Sequence, residues 1–200
     1  MKFSFLSLMD SFGRVSKPFH MTQPERYAHL VVDVQRHFCD PRTSEHGTRQ
    51  TDAVAREIAR VTPIFREAGM KTYMVYFQKW SEPPEKAFGG FHRVQPAASD
   101  VLLGKITPSA FEYNDLAERL RNAGIDTLLV SGFQLNNCVN ATVQSALRED
   151  FKVWALSDCI GNGIPCTEDP AIYWRLMREH GAEIITTKQA MTRLQTPSAG

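Results

Sequence analysis

The chain has 200 residues, 42% hydrophobic and 22% charged, with a net charge of +1. These values fit one globular domain and exclude the strongly basic balance of a protein that binds nucleic acid or anionic membrane through charge. No run approaches the roughly 20 apolar residues of a membrane span. None of the four cysteines, Cys39, Cys138, Cys159 and Cys166, forms a C-x-x-C pair, so a reduced, cytoplasmic setting is expected.

Residues 1–22 carry scattered apolar side chains, Phe3, Phe5, Leu6, Leu8, Met9 and Phe12, interrupted by Asp10 and Gly13. They lack the cleavage site of a secretory signal. A poorly ordered extension is expected there, or an arm on a partner subunit, ahead of one domain over 23–200. Ala28 to Asp33 reads as a buried parallel strand ending in a carboxylate. From Asp52 to Ala68, the residues Val54, Ile58, Val61, Phe65 and Ala68 make one helical stripe. Pro63 should kink or divide that helix, and Gly69 should end it.

Lys71 to Phe77 is a second strand. Gln78 to Asp100 has no periodicity, and so long a segment in a compact domain is usually a functional loop or lid. Val101 to Ile106 is a short strand carrying Lys105. A helix over Asp115 to Ala123 follows, with Asp115 and Glu118 spaced as a capping box. Thr127 to Val130 is a strand that breaks at Ser131-Gly132 and leads to a helix running to about Asp150. Cys138 sits where that helix should begin. Unpaired N–H groups and the dipole there should lower its thiol pKa. Phe151 to Leu156 and Ala182 to Ile185 are the last strands, with a helix from Glu168 to His180 between them. The tail from Thr186 to Gly200 is polar, and its end should be loose. Strands alternating with helices predict an α/β domain with a parallel sheet, which binds ligands beyond the carboxyl ends of its strands.

Asp33, Lys105 and Cys138 all fall at or just past such ends. A carboxylate can take the thiol proton and return it to a leaving nitrogen. An ammonium supports both groups electrostatically, and a thiolate attacks a carbonyl carbon. Singly, each has an ordinary explanation: a turn aspartate, a surface lysine, a small buried cysteine. Together they occur in three motifs. Leu30-Val31-Val32-Asp33-Val34-Gln35-Arg36-His37-Phe38 is the first. Gly104-Lys105 followed by Ser109-Ala110-Phe111 is the second. Gly132-Phe133-Gln134-Leu135-Asn136-Asn137-Cys138-Val139 with Ala141-Thr142 and Ala146 is the third.

In this order the motifs resemble those of the isochorismatase-like cysteine hydrolases, over about Tyr27 to Ile185. That family includes nicotinamidases, N-carbamoylsarcosine amidohydrolases, biuret hydrolases and ureidoacrylate amidohydrolases. The resemblance implies a three-layer α-β-α fold on a six-stranded parallel sheet, and a catalytic triad of Asp33, Lys105 and Cys138. It also implies a cis peptide between Phe133 and Gln134, and an oxyanion hole from the backbone of Gln134 and Cys138. A homodimer or homotetramer follows from the same resemblance. Nicotinamidases hold a metal through an Asp-x-His pattern and a further histidine after the second strand. Here that place reads Gln78-Lys79-Trp80-Ser81-Glu82, so no metal and no cofactor is expected. Gln35, Phe38, Trp80, Phe111, Phe133 and Asn137 are the candidates for reading a small amide or ureido substrate. Two other readings stay open: an isochorismatase-type vinyl-ether hydrolase that does not use the thiol, and a binding or redox-sensing protein on the same fold.

Overall fold

A computed structural model describes residues 19–78, 82–163 and 169–196. Six strands, β1 (Tyr27–Val32), β2 (Lys71–Phe77), β3 (Val101–Lys105), β4 (Thr127–Gly132), β5 (Lys152–Ile160) and β6 (Glu183–Ile185), form one sheet in the order β3-β2-β1-β4-β5-β6. Every pairing is parallel. The helices are α1 (Arg36–Cys39), α2 (Arg49–Glu67), α3 (Leu116–Asn122), α4 (Asn140–Arg148), α5 (Ala171–Glu179) and α6 (Thr187–Leu194).

Alternation along each strand separates the two faces. Leu30, Val32, Leu128 and Val130 share one core with Leu116 and Leu120 of α3, Val143 and Ala146 of α4, and Met177 of α5. Val31, Met74, Leu129 and Leu156 share the other with Ala55, Ile58, Val61 and Phe65 of α2 and with Ala190 and Leu194 of α6. The fold is therefore the expected three-layer α-β-α sandwich. Among the described residues no helix is long and apolar enough to cross a membrane.

Several boundaries differ from the sequence reading, each for a local reason. Helix α2 starts earlier, because Thr48 and Thr51 form a reciprocal capping box. It also runs through Pro63 undivided. Pro63 is exposed, so solvent can meet the carbonyl that its missing N–H would have bonded. Asp115 makes no capping bond to α3. Its carboxylate instead accepts from Arg119 Nε at 2.7 Å, and Asn114 Oδ1 accepts from the Leu116 N–H at 2.9 Å. Strand β5 continues through Ser157-Asp158 to Ile160, with a register shift opposite Ser131. The first part of the tail is a helix that the sequence reading did not give: α6 is capped reciprocally by Thr186 and Gln189 and buries Ala190 and Leu194, while the end of the tail, residues 197–200, lies outside the described residues. The start of the chain's described part is fixed on α6 as well, the Thr22 N–H donating to Leu194 O at 2.8 Å, while Phe19 packs edge-on to Phe65. The first eighteen residues lie outside the described residues, as does Glu168.

The chain order reverses between β1 and β4, which opens a crevice at their carboxyl ends. Gly132 makes that junction possible. Its φ is +126°, and a Cβ there would stand 1.9 Å from Val32 O.

Two buried histidines are structural. His92 Nε2 lies 2.7 Å from Asp52 Oδ1, tying the loop after β2 to α2. His29 is fully buried, with Nε2 2.8 Å from Ser131 Oγ. Burial, helped by Arg66, pushes its pKa down to about 3. A base whose folded pKa is depressed keeps its full contribution above the unfolded pKa of about 6.5 and loses it as pH falls toward the folded value. Stability should therefore fall from about pH 6.5 downward, by at most about 1.4 kcal/mol per pH unit from this group. His29→Asn should flatten the fall of the urea midpoint between pH 6.5 and about 5.5, above the usual carboxylate range.

Candidate active site

The site is assembled at the switch point from three strand ends. Asp33 follows β1 with a φ of +52°, which turns the chain sharply and sends its carboxylate inward. Its N–H donates to Val75 O at 2.9 Å. Lys105 closes β3, two strands away, and is register partner of Phe77 at the end of β2. Strands lie about 4.8 Å apart, so the ammonium must reach across β2 to arrive at β1. It does so over the Phe77 ring, 4.4 Å from the centroid, and ends 2.7 Å from Asp33 Oδ2. Its Nζ also donates to Thr107 O at 3.1 Å. Both charged side chains are buried.

Cys138 arrives from β4 by a different device. Phe133–Gln134 is a cis peptide, as the resemblance implies. Leu135–Val139 then forms a single π-helical turn, with the Val139 N–H donating to Gln134 O at 3.0 Å, before regular α4 begins. Such turns recur at functional sites. The Gln134 side chain locks the elbow from outside: its Nε2 donates to Phe38 O at 3.1 Å, and its Oε1 accepts from the Gly163 N–H. The Cys138 thiol shares the cavity lining with Asp33 and feels the charges of both Asp33 and Lys105.

The electrostatics correct one expectation. The Cys138 pKa is not lowered by a helix start; it is pushed up to about 12, first by burial and then by the Asp33 charge, with Lys105 opposing. Burial and the facing Asp33 carboxylate set the direction, and Lys105 offsets only part of it. Burial likewise raises the Asp33 pKa, against the pull of Lys105. At neutral pH the sulfur is therefore a protonated thiol next to a carboxylate of enhanced basicity. That pair can exchange a proton when a third group arrives to stabilise the sulfur's negative charge or its product.

A cavity of about 200 Å³ opens on these groups, lined by Asp33, Phe38, Phe77, Phe88, Phe133, Gln134, Asn137 and Cys138. Of the residues nominated for substrate contact, Phe38, Phe133 and Asn137 line it. Gln35 does not. It is fully buried, and its side chain is engaged by the backbone: Oε1 accepts from the Phe77 N–H at 2.7 Å, and Nε2 donates to Phe77 O at 3.1 Å and Ala87 O at 2.7 Å. Phe111 does not either; it packs against Phe151 on the α3 and α4 face, with centroids 6.0 Å apart. Trp80 and Cys166 lie outside the described residues.

Two lining residues escaped the sequence reading. Phe77 ends a predicted strand, so the rule for strand ends could have nominated it. Phe88 had no signal beyond lying in the long loop next to Gly89-Gly90. Cys39 and Cys159 are buried and, with Cys138, are free thiols. Among the described residues no group of three His, Cys, Asp or Glu side chains is placed to hold a metal ion.

The isochorismatase domain model matches residues 27–189. The chain belongs to the isochorismatase family. An uncharacterised isochorismatase family protein of Bacillus subtilis is 28% identical over 141 residues, 67% of this chain and 73% of that one. A maleamate amidohydrolase of Pseudomonas putida is 24% identical over 189 residues, 83% of this chain and 85% of that one. The crystal structure of a cysteine hydrolase from Pseudomonas syringae superposes with a TM-score of 0.72 at 23% identity, covering 90% of this chain and 98% of the other. This isochorismatase-family chain thus shares the fold of a cysteine hydrolase and has an amide-hydrolysing relative.

The raised thiol pKa has a thermodynamic signature. A group whose folded pKa exceeds its unfolded value contributes fully below the unfolded value, about 8.5 for cysteine, and loses that contribution as pH rises toward the folded one. Stability should fall from about pH 8.5 toward pH 12, and Cys39 and Cys159, also raised by burial, act in the same direction. Urea midpoints between pH 8 and 11 should decline in the wild type, and less steeply in Cys138→Ala.

Proposed function

We propose that the protein hydrolyses the C–N bond of a small amide or ureido compound through a thioester on Cys138. The observation that carries this reading is the buried Asp33–Lys105 pair, 2.7 Å apart, beside the Cys138 thiol at one cavity. The amidohydrolase relative supports the choice of bond.

The substrate carbonyl enters against the sulfur. Asp33 takes the thiol proton as sulfur attacks the carbonyl carbon. Lys105 holds the negative charge of that corner nearly constant while the proton moves. The oxyanion is received by the backbone amides of Gln134 and Cys138, both cavity residues. Collapse breaks the C–N bond, and the proton on Asp33 passes to the departing nitrogen. A water then attacks the thioester, giving its proton to Asp33. The second collapse frees a carboxylic acid and restores the thiol. Nothing in this route calls for a metal or a cofactor.

The raised Asp33 pKa suits the role, because a carboxylate made more basic by burial draws more readily on a thiol proton. The same reading has the enzyme act in the reducing cytoplasm as a homodimer or homotetramer. Leu102 and Ile106, each 45% exposed on the edge strand β3 or just beyond it, and Tyr113 at 87% offer apolar surface to a second copy.

Ammonia release from a panel of amides, carbamoyl compounds and ureido compounds should identify a substrate. Cys138→Ala should reduce turnover at least about a thousandfold, as removal of a nucleophile does, and Asp33→Asn should do nearly the same. Mass spectrometry of quenched wild-type enzyme should show an acyl group on the peptide bearing Cys138. Turnover that survives Cys138→Ala, on an amide or on isochorismate, would overturn the thioester route.

A further inference from the structure

We propose that Thr142 and Ser145 of α4 are positioning residues for the Lys105 ammonium, acting through the turn whose Thr107 carbonyl holds it. This rests on the preceding reading for the chemistry of the site, and adds what keeps the lysine in place against the thiol.

Lysine is a compact charge on a flexible four-carbon stem, so its place in a site is set by the acceptors that hold its head. The structure gives Lys105 two, Asp33 Oδ2 at 2.7 Å and Thr107 O at 3.1 Å. The first follows β1, in the middle of the sheet. The second is a backbone atom just beyond the outer strand β3, which pairs with β2 alone. The sheet therefore offers that turn no support on its outer side, and Ile106 and Pro108 are exposed.

Helix α4 supplies the support. Ser109 Oγ donates to Ser145 Oγ at 2.8 Å, and the Ala110 N–H donates to Thr142 Oγ1 at 3.1 Å. Ser109 Oγ also accepts from the Phe111 N–H at 3.1 Å, and Arg148 Nη2 donates to Ser145 Oγ at 2.8 Å. Ser109, Thr142 and Ser145 are buried, so water does not replace a lost bond, and an orphaned buried donor is costly. Thr142 and Ser145 stand three residues apart and share a face of α4. Ser109-Ala110 belongs to the second sequence motif and Thr142 to the third. The contact thus joins the segment that carries Lys105 to the one that carries Cys138.

The consequence is electrostatic. Cys138 leads into α4, four residues before Thr142. One helix therefore presents the sulfur and holds the turn that holds the cation. The separation of the two is set through α4, and not only across the strands between β3 and β4. Lys105 opposes the rise of the Cys138 pKa. A loosened turn frees the ammonium and leaves the thiol harder to ionise.

The test reads the thiol directly. Alkylation of Cys138 by iodoacetamide at about pH 9, followed by peptide mass mapping of the full-length protein, reports thiolate and needs no substrate. Thr142→Val keeps the side chain's shape and removes the acceptor. It should slow alkylation about tenfold, the loss of thiolate when a thiol pKa rises by about one. Ser145→Ala should act in the same direction, and Thr142→Ser should stay within about twofold of the wild type. On any substrate the panel identifies, kcat of Thr142→Val should fall about tenfold with KM unchanged. Lys105→Met removes the charge, and adding Thr142→Val to it should slow alkylation no further, because residues that act through one group are not additive. Circular dichroism checks that each variant is folded. Alkylation of Thr142→Val within about twofold of the wild type, or faster, overturns the inference. So does an equal loss in the Lys105→Met background, which is what a purely structural hydroxyl would give. Should Lys105→Met not fold, Thr142→Ser decides, and a rate as low as that of Thr142→Val overturns the inference. The two readings fail separately. If alkylation follows the expected pattern while the wild type hydrolyses no amide, the positioning stands and C–N hydrolysis falls. If the wild type hydrolyses an amide while Thr142→Val changes neither kcat nor alkylation, hydrolysis stands and the positioning falls.

Discussion

The buried ion pair of Asp33 and Lys105 is the constraint around which the rest of this molecule is arranged. Taking two charges out of water costs several kcal/mol each, and their attraction offsets that only with good geometry. The fold supplies the geometry at some expense of regularity. Asp33 takes a left-handed backbone, Lys105 extends across a neighbouring strand over a phenyl face, and both side chains end at 2.7 Å. A hydrophobic pair would be easier to bury. Retaining the charges makes physical sense when the site must handle a proton beside a thiol.

The protonation states follow from that arrangement. Burial and the adjacent carboxylate keep the sulfur protonated until something displaces the balance. The resting site therefore holds a neutral thiol and an ion pair, not a thiolate awaiting a partner. A buried thiol that stays protonated is protected from oxidation and stray electrophiles, since the thiolate is the reactive form. The three free thiols of the described chain are all of this protected kind.

Around the pair, the walls are held by side-chain amides bonded to backbone. Gln35 grips both sides of Phe77 and the turn before Phe88, and Gln134 joins the elbow to Phe38 and Gly163. Each buried glutamine thereby fixes two segments that are far apart in sequence. The described part of the loop between β2 and β3, residues 82–100, long and without periodicity, is tied down by Gln35, by His92 and Arg93 to Asp52, and by Arg66 to Asp100. The cavity is thus lined from two kinds of support: Phe38 and Phe88 on stapled segments, Asp33 at a strand end.

The sequence by itself determined the alternation of strands and helices, the parallel sheet, and the three motifs that bring Asp33, Lys105 and Cys138 toward one edge. Those signals are local, being hydrophobic period, glycine stops and residue order, and they survive without knowledge of neighbours. What only the tertiary structure decided depends on contacts between distant segments. Pro63 lies harmlessly in α2 because it faces solvent, and the polar tail becomes α6 because its apolar stripe meets the sheet. Gln35 proved a strut and Phe111 a core residue, since a side chain's direction is set by what packs against it. Phe88 entered the cavity through a turn closed by Gln35, some fifty residues earlier in the chain. The thiol's pKa rose where a helix start alone would have lowered it, because desolvation and a facing carboxylate act through space, and no spacing along the chain records them.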